Sequence, residues 1–91
     1  MDMRPLTPKQ LKYIYYKYMT QDFPKSELRP YRNMRSLLRN NLYECFGLYT
    51  DGTLQAYACL VRTAGNLLLD YYAVIPALRS SGIGGRFLQH I

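Results

Sequence analysis

Nine residues from Leu67 to Ile75, "LLLDYYAVI", run almost without a polar side chain, and a few positions later come three glycines, Gly82, Gly84 and Gly85. A run of this length is short for a helix and lacks the alternation of a half-exposed strand. It reads as a strand covered on both faces. Such a strand needs a layer on each side, which directs a chain of 91 residues to one small helix-and-sheet domain around a single core.

The residues before that strand supply the layers. Met3-Arg4-Pro5-Leu6 suits a short edge strand, where proline is tolerated. Thr7 then stands as the N-cap of a helix, Pro8 at its first position and Gln10 as the partner in a capping box, with Leu6 and Leu11 as a hydrophobic staple. Leu11, Ile14, Tyr15, Tyr18 and Met19 recur at helical spacing, and the helix is expected to stop before Asp22-Phe23-Pro24. A linker over 22–30 leads to a second helix with the stripe Tyr31, Met34, Leu37 and Leu38, Pro30 fitting its first turn. From Leu42 the period becomes that of strands, and Thr50-Asp51-Gly52-Thr53 joins "LYECFGLY" to "LQAYACLV" as a hairpin. The turn Thr63-Ala64-Gly65-Asn66 leads into the apolar run. The order is therefore β-α-α-β-β-β, with a further helix starting near Gly82.

Cysteine and charge narrow the partners. With a two-residue loop at Asp51-Gly52, Cys45 lies opposite Ala58 and Cys59 points to the other face; a three-residue loop would set the cysteines face to face. No disulfide is expected, nor a metal site, since His90 is the sole histidine and lies on another element. No apolar run approaches the roughly 18 residues of a membrane span, and Met1-Asp2-Met3-Arg4-Pro5 lacks a secretory core, which makes the cytoplasm the expected location. The net charge of +6 lies wholly in residues 1–40, which carry nine basic and three acidic side chains. Such an excess favours anionic partners without choosing among them. The row Arg32, Arg35 and Arg39 reads as a solvated helix face. A nucleic-acid surface using Arg29, Arg32, Arg35 and Arg39 with nearby aromatics is the less favoured reading.

A buried strand that delivers a glycine-rich turn into a helix start is a recipe for holding phosphate: the first helical N–H groups lack intrahelical partners, and glycine removes the Cβ that would keep an anion away. Two familiar patterns fail on a required residue. Phe87 occupies the place of the third glycine of a dinucleotide fingerprint, and Arg86-Phe87 follows Gly85 where a Walker motif needs Lys and Ser or Thr.

The pattern that fits is Arg/Gln-x-x-Gly-x-Gly/Ala, here Arg79-Ser80-Ser81-Gly82-Ile83-Gly84, preceded by Ala73-Val74-Ile75-Pro76-Ala77-Leu78. With the element order before it, this closely resembles the GNAT superfamily of N-acetyltransferases. The resemblance covers essentially the whole chain, 1–91, as one incomplete domain of the α/β (α+β) class with a mostly antiparallel sheet. It implies acetyl-CoA as cofactor, an amine as acceptor, and direct attack of that amine on the thioester. It implies also that the main chain of Tyr72, Ala73 and Val74 pairs with the pantetheine arm, and that the loop of Arg79, Ser80, Ser81, Gly82, Ile83 and Gly84 cradles the pyrophosphate.

Asp70 is the one carboxylate of the apolar run and, in a regular strand, shares the face of Tyr72 and Val74. It is the candidate general base, with Glu44 a weaker alternative. The tyrosine that commonly protonates the thiolate in this family comes from a later helix, so none of the ten tyrosines is assigned that role. The family's fifth strand, fourth helix and last two strands are not in the chain, which reads as an N-terminal portion expected to be inactive alone and to self-associate through the strand edge 67–75. The alternative function is a GNAT-like module that binds or assembles without catalysis.

Overall fold

The computed structural model describes residues 2–76. Its described elements are β1 (Asp2–Pro5), α1 (Pro8–Ile14), a π-helical turn (Tyr15–Met19), α2 (Thr20–Asp22), α3 (Tyr31–Arg39), β2 (Tyr43–Thr50), β3 (Thr53–Thr63) and β4 (Asn66–Val74). The strands form one antiparallel sheet in the order β1-β2-β3-β4. The pyrophosphate-loop residues Arg79 to Gly84 and the helix expected from Gly82 lie outside the described residues.

Local chemistry sets the helix ends. Thr7 and Gln10 form the capping box in both directions, with the Gln10 N–H donating to Thr7 Oγ1 at 3.1 Å and the Thr7 N–H to Gln10 Oε1 at 2.9 Å. Leu6 and Leu11 are both buried, as a staple requires. The single helix expected to stop before Asp22 runs on through Asp22 and is interrupted in hydrogen-bond pattern: the Thr20 N–H reaches the carbonyl of Tyr15, five residues back. That wider turn keeps Tyr15 and Met19 on the buried side together with Leu11 and Ile14. At the other end of the helical layer, Asn41 takes a φ of 59°. It closes α3 with bonds from its own N–H to Leu38 O and from the Leu42 N–H to Leu37 O.

The helices cover one face of the sheet. Leu11, Ile14, Met19 and Met34 pack there against Tyr43, Cys45, Tyr57, Cys59 and Tyr71. A smaller cluster, Leu48, Ala56, Ala58 and Leu60, occupies the opposite face. Gly47 belongs to the helical side, and a Cβ there would stand 2.7 Å from the Tyr49 ring and 3.0 Å from both Leu54 and Leu6.

Two bulges change the expected register. The hairpin loop is the two-residue Asp51-Gly52, both with positive φ, yet Cys45 lies opposite Cys59 and not beside Ala58. The reason is an extra residue on β3: Tyr49 pairs with Leu54 and Leu48 with Ala56, so Gln55 is inserted and every later residue changes partner. Both cysteines are buried free thiols. On β4, Cys59 pairs with Tyr71 and Leu60 with Leu69, which leaves Asp70 as the inserted residue. The start of this strand also departs from expectation. Leu67, Leu68 and Leu69 are exposed, so the double cover predicted for the whole run does not extend to them.

Candidate functional site

The bulge places Asp70 where a regular strand would not. Beyond it, Tyr71 and Ala73 face the helices with Cys59 and Tyr57, while Tyr72 and Val74 face the other side with Ala58 and Ala56. Asp70 does not share the Tyr72 and Val74 face. Its carboxylate turns under the helical layer, where Arg29 Nε donates to Oδ2 at 2.7 Å, Arg29 Nη2 to Oδ1 at 3.3 Å, and the Tyr43 hydroxyl to Oδ2. The alternative base, Glu44, stands on the opposite face of β2 and pairs with Arg62 at 3.0 Å.

Around Asp70 the linker is fastened at both ends. Arg29 is held through its main chain as well as its guanidinium: its N–H donates to Tyr71 Oη at 2.8 Å and its carbonyl accepts from Tyr15 Oη at 2.7 Å. The Tyr71 hydroxyl in turn donates to the Glu27 carbonyl at 2.8 Å. At the start of the linker, Tyr57 Oη bonds Asp22 Oδ2 at 2.8 Å, and the Phe23 ring meets Tyr71 edge to face with centroids 4.9 Å apart. Segment 23–30 is therefore a strap across the helical face of β3 and β4. Sequence reasoning placed the linker but missed Tyr43, Tyr57 and Tyr71 as its anchors. A tyrosine on a strand face below a proline-bounded, otherwise unsupported segment is the signal that could have found them.

Electrostatics follow from burial. Desolvation first, then the nearby Cys59 and the hydrogen bond to Asp70, push the Tyr43 phenol far above its ordinary range. Burial also raises Tyr71. The contact with Cys45, reinforced by burial, raises the Cys59 thiol. All three groups are kept protonated, so the tyrosines act as fixed donors.

Where the strap passes the end of β4, Asp22, Phe23, Tyr72, Ala73 and Val74 line a cleft of about 350 Å³. The Ile75 N–H bonds the Gln55 carbonyl, and by antiparallel alternation the main-chain groups of Tyr72 and Val74 point away from β3, toward the other edge of β4. A larger hollow of about 500 Å³ between α1 and the hairpin shares no residue with this cleft and has no carboxylate in its lining. The chemistry points to the β4 cleft. Among the described residues no three His, Cys, Asp or Glu side chains come together as a metal group, and no helix is long and apolar enough to cross a membrane.

A four-stranded antiparallel sheet, helices strapped over one face and a fourth strand leading into the glycine sequence define an α+β domain. The chain matches the acetyltransferase (GNAT) family over residues 9–91 and belongs to it. Among solved structures it is similar to a putative GNAT-family acetyltransferase from Bacteroides thetaiotaomicron (TM-score 0.81, 20% identity), with 99% of this chain and 53% of that one covered. It is similar also to the ribosomal-protein-S18-alanine N-acetyltransferase of Escherichia coli (TM-score 0.74, 22% identity, 98% and 55% covered). A third likeness is to the aminoglycoside 6'-N-acetyltransferase AAC(6')-IG of Acinetobacter haemolyticus (TM-score 0.65, 21% identity, 99% and 68% covered). The chain thus spans about half the length of the first two. No curated protein sequence matches it.

Proposed function

We propose that this chain carries the cofactor-holding part of an acetyl-CoA-dependent N-acetyltransferase acting on an amine. The observation that carries the reading is the cleft that Asp22 and Phe23 form with Tyr72, Ala73 and Val74, on the strand that leads to Arg79-Ser80-Ser81-Gly82-Ile83-Gly84. Tyr72, Ala73 and Val74 hold the pantetheine arm, and Arg79 with the main chain through Gly84 holds the pyrophosphate. When bound, the coenzyme supplies an acetyl group activated as a thioester. The strap 23–30 limits which amine reaches the cleft. Asp70, engaged by Arg29 and Tyr43, positions the strap.

The engagement of Asp70 favours a second reading, a module that binds the coenzyme without transfer. Acetyl-CoA should raise the melting temperature in a concentration-dependent way, with free adenosine giving no comparable rise. Transfer of labelled acetyl to a panel of amines supports the enzyme. Stabilisation without transfer supports the binding module, and no stabilisation overturns both.

A further inference from the structure

We propose that the joint outer face of α1 and α3 binds single-stranded nucleic acid, an activity separate from acetyl transfer. In sequence the arginine row of α3 is an ordinary solvated face. The fold adds a second element to it: Lys9, Lys12 and Arg35 line one groove of about 410 Å³ between the helices, with Tyr31 in its wall. The Tyr31 hydroxyl, 3.2 Å from the Pro8 carbonyl, ties the two helices together at that point.

Among the described residues no acid pairs with these cations. Ion pairs among the described residues are Arg4–Asp2, Arg29–Asp70 and Arg62–Glu44, and none involves Lys9, Lys12, Arg32, Arg35 or Arg39, all of them exposed. Arg29, which the sequence grouped with this row, is turned away to Asp70. The remaining arginines step along α3 with rises of about 4.5 and 6 Å, a line that a phosphodiester chain can follow.

Flat aromatic surface accompanies the charge. Lys9, Lys12, Tyr13 and Tyr16 share one face of the first helix at positions i, i+3, i+4 and i+7. Tyr13 and Tyr16 are 58% and 57% exposed, and the Tyr16 ring lies 5.8 Å from that of Tyr31 at the junction with α3. Exposed rings beside a row of cations suit a strand whose phosphates meet the cations while unpaired bases stack. A membrane surface is less well matched, because the large exposed apolar side chains of α1, the π-helical turn and α3 are these tyrosines and not aliphatic groups. An acidic protein would find the charge but no use for the stacking platforms.

The test is binding of a fluorescently labelled oligouridylate to the whole chain across a salt series. With five phosphate contacts, log K should fall against log salt with a slope of about −3.5. Arg35→Gln with Arg39→Gln should flatten the slope and weaken binding at least tenfold, while Tyr16→Ala should weaken it by roughly an order of magnitude with the slope kept. Arg62→Gln, on the sheet, should leave binding unchanged. Circular dichroism confirms that each variant is folded, and Arg39→Glu serves as a second charge variant. No binding at low salt, equal competition by polyglutamate or by anionic vesicles, or binding indifferent to the α3 arginines would each overturn the proposal.

Discussion

Arg29 and Asp70, 41 residues apart in sequence, meet with Nε 2.7 Å from Oδ2, and they do so because Asp70 is the inserted residue of a β-bulge. A regular strand would have sent this carboxylate to the other face. The bulge converts the one acid of an apolar strand into the anchor of the strap that borders the cleft.

Removing the acid should therefore cost stability. Asp70→Ala leaves the buried Tyr43 hydroxyl without its acceptor and the Arg29 guanidinium without its counter-ion. The Arg29 and Asp70 side chains are 38% and 17% exposed, so solvent screens part of the pair, and the expected loss is about 2 kcal/mol. Asp70→Asn keeps an acceptor for Tyr43 and should lose about half as much. Urea unfolding measures both. An unchanged midpoint for Asp70→Ala would show that the pair contributes nothing.

Tyr71 makes a sharper test because it holds the strap through the main chain. Its hydroxyl accepts from the Arg29 N–H and donates to the Glu27 carbonyl, so Tyr71→Phe removes two bonds while keeping the ring against Phe23. The expected cost is about 1–2 kcal/mol. Amide exchange at Arg29 should accelerate by about tenfold or more, with exchange in the core of β3 following only the global change. Tyr72→Phe, on the opposite face, should leave the Arg29 amide as it was.

The element order, the capping box at Thr7 and Gln10 and the hairpin around Asp51-Gly52 were legible because each rests on residues a few positions apart, whereas the length of the hairpin loop was left open between two and three residues. The strand leading to the glycine sequence was legible too. The bulges at Gln55 and Asp70 were not, since an inserted residue depends on contacts between distant segments. Asp70 is drawn toward Arg29 and Tyr43, and no local pattern announces that. The same limit hid the anchoring tyrosines and the meeting of Lys9, Lys12 and Arg35, which the stacking of two helices decides.

The register of the cysteines gives a further prediction. Cys45 and Cys59 are directly opposite and both nearly fully buried, at 3% and 0% exposure. The Cys59 thiol is held protonated by the Cys45 contact and by burial, which suppresses the reactive thiolate. Iodoacetamide should modify neither at neutral pH while the protein is folded, and both at equal rates in urea. Rapid native alkylation of Cys59 would contradict the packing described.

Alkaline pH should unfold the protein through the buried phenols. Tyr15, Tyr43 and Tyr71 all have pKa values raised above the ordinary 10.0, with desolvation as the first cause in each. For a group raised in the folded state, the stabilisation is complete below the unfolded value and disappears as pH rises through the folded one. Stability should hold to about pH 10 as far as these phenols are concerned and then fall steeply, with the last part of the tyrosinate absorbance, that of the buried phenols, appearing together with unfolding. The raised Cys59 thiol acts in the same direction from about pH 8.5, and Cys59→Ala separates the two contributions. Tyr43→Phe should be less stable at neutral pH, through loss of the Asp70 bond, yet decline less steeply above about pH 10. If all ten tyrosines titrate with the ordinary midpoint near 10.0 and no loss of structure, the phenols are not buried as described.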